Sequence, residues 1–111
     1  MKWYDNLYIG ESIGKKAGRI KWKINHNAGT LFVHVITLPS NKHNLLDIIP
    51  ARELLQNGYP KRNLKIIGIA GDRQEAVELV AEIIKEVYDN TGETDVAGYL
   101  EKIKASRPLG Q

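Results

Sequence analysis

The sequence predicts an α/β fold: a small single domain over 1–111, with elements in the order α-β-α-β-α-α and a short, mainly parallel sheet covered by helices. Three observations carry this. The run Leu64–Ala70 is apolar and β-branched, with no charge after Lys65, as in strands buried on both faces. A turn at Ala70-Gly71 follows, and Asp72 with Glu75 three positions on reads as a helix N-cap and its capping-box partner. The helix after it, to Tyr88, places Val77, Val80, Ala81, Ile84, Val87 and Tyr88 on one face, opposite Glu75, Glu78, Glu82, Lys85, Glu86 and Asp89.

The elements before this unit are less uniform. Residues 2–29 read best as a helix: Ile9, Ile13, Ala17, Ile20 and Ile24 keep its spacing, Asp5 can cap its start, and Gly29 can follow Asn27 at its end. The competing pattern is a strand over Arg19–Asn25, where Ile20, Trp22 and Ile24 alternate with polar residues. Gly10, Gly14 and Gly18 each weaken a helix by about 1 kcal/mol relative to Ala. They make the first turns irregular or form a small-residue row that admits a neighbouring backbone. Thr30–Leu38 is a second uncharged apolar run and a strand, with His34 on the face of Phe32 and Ile36 and buried. Ser40–Asn44 is a polar loop. Ile49 is biased to extended backbone by the proline after it, and Pro50 opens a short helix through Gln56, stopped by Asn57-Gly58. A break over Asp89–Glu93, with Gly92 as helix terminator, precedes a last helix from Val96 to Ala105, capped by Thr94 or Asp95. Residues 106–111 form a frayed tail.

Two strands joined by a helical crossover are expected to be parallel. A two-stranded sheet leaves both edges open, so the chain is expected to form a homodimer in which sheet edges or the glycine-bearing helix meet on a twofold axis. Hydrophobic residues at 42% and charged residues at 26% point to a folded globular chain. The absence of cysteine removes disulfides and thiol chemistry. With no apolar leader and no run long enough to span a bilayer, a cytoplasmic location is expected, with no membrane partner. The net charge of +3 permits an acidic partner without requiring one.

Parallel α/β sheets bind ligands beyond the carboxyl ends of their strands. On that geometry Ser40, Asn41, Lys42 and His43 would lie near Gly71, Asp72 and Arg73, where a helix N-terminus could take a phosphate or carboxylate with Arg73 or Lys42. GIAGD is neither a dinucleotide fingerprint nor a P-loop, and Asp72 sets a negative charge where the anion would go, so a self-capped turn is the plainer reading. Ser40, His43 and Asp47 can be written as nucleophile, base and orienting acid, yet their spacing matches no nucleophile elbow. His26, His34 and His43 have no ligand-spaced neighbours, so no metal and no cofactor are expected. Lys15, Lys16, Arg19, Lys21 and Lys23, with Trp22, Asn25 and His26 among them, form a basic segment suited to nucleic-acid phosphates or an acidic partner. No base-reading motif accompanies it.

The segments VITLPSN, NLLDIIPARELLQ, GIAGD and QEAVELVAEIIKEVYDNTGETDVAGYL resemble recurring blocks of a small bacterial family of about this length. That resemblance implies a compact α/β domain and carries no activity, cofactor or catalytic residue. The resulting expectation is a cytoplasmic, homodimeric, non-catalytic binding module. Two alternatives stand beside it. One is a sensor or enzyme for an anionic metabolite, with His43 as acid or base; the other is a nucleic-acid accessory protein using 15–26.

Overall fold

The chain opens with a strand, not a helix. In the computed structural model, which describes residues 1–26, 32–39, 45–56 and 64–106, β1 spans Lys2–Ile9, so Asp5 lies within a strand and caps nothing. Trp3, Tyr4, Tyr8 and Ile9 are strand formers, and the helical spacing read across Ile9 and Ile13 gave way to pairing with a distant segment. A 3₁₀ turn at Gly14–Lys16, entered at positive φ by Gly14, then leads into α1, Ala17–Asn25. Helix therefore prevails over strand at 19–25, with Ile20 and Ile24 buried four residues apart. Gly29 lies outside the described residues.

The remaining elements are β2 (His34–Thr37), β3 (Asp47–Pro50), α2 (Ala51–Leu54), β4 (Lys65–Ala70), α3 (Arg73–Thr91) and α4 (Val96–Ser106). The extended bias at Ile49 belongs to a full strand, Asp47–Pro50, and Pro50 ends that strand as the N-cap residue of α2. The four strands lie in the order β1-β4-β2-β3. β1 runs parallel to β4, whereas β2 is antiparallel to both β4 and β3. The sheet is mixed, and the expected parallel relation between the two apolar runs is overturned. A third strand, β3, joins β2 antiparallel at one edge, and the parallel neighbour of β4 is the N-terminal strand.

Two irregularities meet at the middle of β4. Trp3 pairs with Ile66 and Tyr8 with Gly68, so Tyr4–Leu7 bulge from the ladder. On the other side Ile36 pairs with Gly68 and Thr37 with Ile66, leaving Ile67 as an extra residue. An extra residue flips the alternation of side chains. Ile66 and Ile69 accordingly join a core with Ile20, Ile24, Val35, Ile49 and Leu54 on the side of α1 and α2. Ile67 and Ala70 join the opposite core with Tyr4, Ile36, Ile83, Val87, Val96 and Leu100. Gly68 is required at this crossing, because a Cβ there would lie 3.0 Å from the Tyr8 carbonyl oxygen and 3.4 Å from Ile36 Cδ1.

α3 packs across β4, β2 and β3 and carries α4 beside it. Its buried positions are Ala76, Leu79, Ile83 and Val87. Of the apolar face expected on this helix, Val87 is buried and Val80 and Ile84 pack against the core, whereas Val77, Ala81 and Tyr88 turn outward, leaving Val77 49% and Tyr88 58% exposed. The helix ends as expected at Gly92, at φ 74°, though it runs through Asp89–Thr91. Asp95 caps α4 by accepting from Gly98 N–H at 3.1 Å.

Candidate functional site

β1 and β4 end side by side, and side-chain hydrogen bonds join the turns that follow them. Asp72 caps α3, its Oδ1 accepting from Glu75 N–H at 2.8 Å. The Glu75 carboxylate turns outward to the neighbouring segment. It accepts from Gly71 N–H at 2.6 Å, Ser12 N–H at 3.1 Å and the Ser12 hydroxyl at 2.7 Å. These donors, led by Gly71, hold its carboxyl below the usual carboxylate range. Beside this clasp runs a groove along Glu11, Glu75, Glu78 and Glu82. Gly71 is half-buried there, and Asp72 and Arg73 are exposed.

The antiparallel course of β2 decides what else reaches this end. His34 pairs with Ala70 and Pro50, and Ala51 N–H donates to the Val33 carbonyl, so the start of β2 and the start of α2 flank the turn. Just beyond the far end of β2, Leu38 N–H donates to the carbonyl of Lys65 at the start of β4. The common carboxyl end that placed Ser40, Asn41, Lys42 and His43 beside Gly71, Asp72 and Arg73 is therefore lost. Those four residues lie outside the described residues, and Asp47, the third member of the written triad, stands on β3.

His34 takes their place. It is half-buried and not a sealed core histidine, and Phe32, expected on its face, is 74% exposed. Desolvation lowers its pKa, and the charges of Arg52 and Arg73 add to that, against Asp72 and Glu53. Its Nδ1 is buried without a hydrogen-bond partner. Nothing in the local sequence announces this grouping, since it is the direction of β2 that pairs His34 with Pro50, ahead of Arg52, and with Ala70, ahead of Arg73.

The basic segment splits between two elements. Lys15 and Lys16 sit on the 3₁₀ turn, and Arg19, Lys21 and Lys23 on α1, with Lys21 and Lys23 half-buried. Lys21 Nζ lies 5.5 Å from the centroid of the Trp3 ring, whose Nε1–H donates to Asn25 at 2.8 Å. Trp22, 56% exposed, stacks on His26 with ring centroids 4.2 Å apart. These contacts tie the segment to β1 and engage part of its charge in packing.

Among the described residues no group of three or more His, Asp or Glu side chains is arranged to hold a metal. No helix among them is long and apolar enough to cross a membrane. Comparison with protein-family models, curated proteins and solved structures found no match.

Proposed function

We propose that this chain is a binding module that acts without catalysing a reaction and self-associates as a homodimer. The observation that carries the reading is the outward face of α3, where Val77, Ala81 and Tyr88 stand exposed while a different set of residues serves the core. Apolar side chains grouped on one helix face are the mark of an association surface. The sheet edges suit that role less. β1 is interrupted by its bulge and carries Asp5 and Asn6, and β3 is four residues long and ends in Pro50. Such features blunt edge-to-edge pairing. Sedimentation equilibrium of the full chain from about 10 to 500 μM, the range in which modest interfaces associate, is expected to approach twice the 12.5 kDa chain mass. A chain-mass monomer throughout would refute the reading.

A second reading rests on His34. An imidazole nitrogen buried without a partner, on a strand residue paired with Pro50 and Ala70 and within the field of Arg52 and Arg73, suits a small anionic ligand that accepts or donates one hydrogen bond there. Phosphate and small carboxylates are expected to raise the melting temperature, and Arg73→Ala to abolish the rise. No shift with any of them would remove this reading and leave the first untouched. The basic surface of α1 remains a third candidate, for nucleic acid, tested by whether binding falls steeply with salt.

A further inference from the structure

We propose that the two copies pair through α3 itself, antiparallel, about a twofold axis passing between Ala81 and Ile84. This rests on the reading that the chain self-associates, and adds the surface, the direction and the register.

Val77, Ala81, Ile84 and Tyr88 follow one another at steps of four, three and four residues, the spacing of a two-helix seam. Ala76, Leu79, Ile83 and Val87 are buried in the chain's own core and Ile84 packs at the edge of that core, so three of the four seam residues are exposed and Ile84 presents its half-buried remainder. α3 has 19 residues, about 28 Å of helix, enough for every seam layer. In the antiparallel register Val77 faces Tyr88 of the second copy, and Ala81 faces Ile84. Each layer then sets a smaller side chain against a larger one, and the seam is even along its length. A parallel pair would place Tyr88 on Tyr88 and Ala81 on Ala81, wide at one layer and hollow at the next.

Charge selects the same direction. Glu78 and Lys85 each follow a seam residue, Val77 and Ile84, and so border the seam on one side. Antiparallel helices bring Glu78 of each copy opposite Lys85 of the other, twice, whereas parallel helices would set these residues against the other flank of the seam, at Val80 and Val87, and form no such pairs. Lys85 lies 2.6 Å from Asp89 on its own helix, but both side chains are largely exposed, so the contact is free to rearrange. Exposed ion pairs contribute little to affinity. The apolar layers hold the pair, and the charges decide how it is oriented.

The test uses the full chain and solution mass. The wild-type chain is expected to be dimeric at high micromolar concentration. Ala81→Lys, at an exposed helical position that Lys suits, is expected to keep the circular dichroism spectrum and give a monomer. Glu78→Lys should weaken association about tenfold through two like-charge contacts, and adding Lys85→Glu should restore it. For direction, the chain's lack of cysteine is useful. A mixture of Glu78→Cys and Lys85→Cys chains should oxidise to the mixed 78–85 cross-link in preference to 78–78 or 85–85. A wild-type dimer that persists in Ala81→Lys, or that gives like-position cross-links, overturns this proposal while self-association stands. A wild-type monomer at every concentration, including one that binds another protein or a vesicle through this face, overturns both.

Discussion

The Glu75 carboxylate binds both the backbone N–H and the hydroxyl of Ser12, a residue 63 positions away. The same carboxylate takes the Gly71 N–H, so one side chain ties the turn after β1 to the turn after β4 and to the first turn of α3. Glu75→Gln leaves the shape and removes the charge. It is expected to cost about 1–2 kcal/mol, the lower part of the range for hydrogen bonds to a charged group because the site is open to water. Because folding lowers the pKa of Glu75, its contribution is complete above the ordinary carboxylate range and is lost as pH falls through the lowered value. Urea unfolding at neutral and acid pH should show the difference between Glu75→Gln and wild type shrink with acidification. An unchanged difference would contradict the clasp.

Gly68 and Gly18 make a matched pair. At Gly68 an added methyl meets the Tyr8 carbonyl oxygen and the Ile36 side chain, so Gly68→Ala should destabilise by about 1–3 kcal/mol. At Gly18, within α1, nothing lies within 4 Å, and Gly18→Ala should stabilise by about 0.5–1 kcal/mol. Opposite signs in chemical denaturation would confirm the close approach at the double bulge. Equal effects would refute it.

Tyr8 donates to Glu86 at 2.7 Å. Burial, and then the bond and the charge of Glu86, push its phenol above the ordinary tyrosine range. A raised pKa means a contribution fully present below the unfolded value and lost as pH rises through the folded one. Tyr8→Phe is expected to cost about 1–2 kcal/mol near neutrality. Its unfolding midpoint should depend less on pH on the alkaline side than that of wild type.

Thr37 is fully buried in β2, and its hydroxyl has no hydrogen-bond partner. Thr37→Val exchanges that hydroxyl for a methyl of similar size. A gain of about 1 kcal/mol in thermal or urea unfolding is expected, and a loss would show that the hydroxyl has a partner.

His34 should titrate below an ordinary histidine, as followed by its imidazole proton resonances. Arg73→Ala removes one of the two positive charges and should move the titration back up. Phosphate bound at the same place should also move it up, because an anion stabilises the charged imidazole. A titration indifferent to both changes would detach His34 from this cluster.

Punctuation and pattern along the chain were enough for the elements after residue 64. The β-branched run, the Asp72 cap, the Gly92 stop and the Asp95 cap each depend on a few neighbouring residues, so they could be read in place. The exposed residues Val77, Ala81 and Tyr88 of α3 were also visible as part of an apolar stripe, but their exposure was not. A stripe records spacing, and which of two adjacent stripes enters the core depends on how the helix settles on a sheet built from distant strands. The first nine residues carried strand-forming aromatics, yet their pairing with β4 spans most of the chain. The helical period of the isoleucines was the stronger local signal.

Strand direction lay furthest from local reading. Parallel and antiparallel neighbours of β4 use the same kinds of residue. β2 runs antiparallel to both of its neighbours, β4 and β3, while β1 takes the parallel place on the other side of β4. That reversal removed the shared carboxyl end of β2 and β4 and set His34 against Pro50, ahead of Arg52, and Ala70, ahead of Arg73. Composition and short-range spacing determined an α/β chain with its caps and apolar runs. The order and direction of the strands, the rotation of α3 and the grouping at the end of β4 came only with the fold, because each is a competition among contacts between residues far apart in the chain.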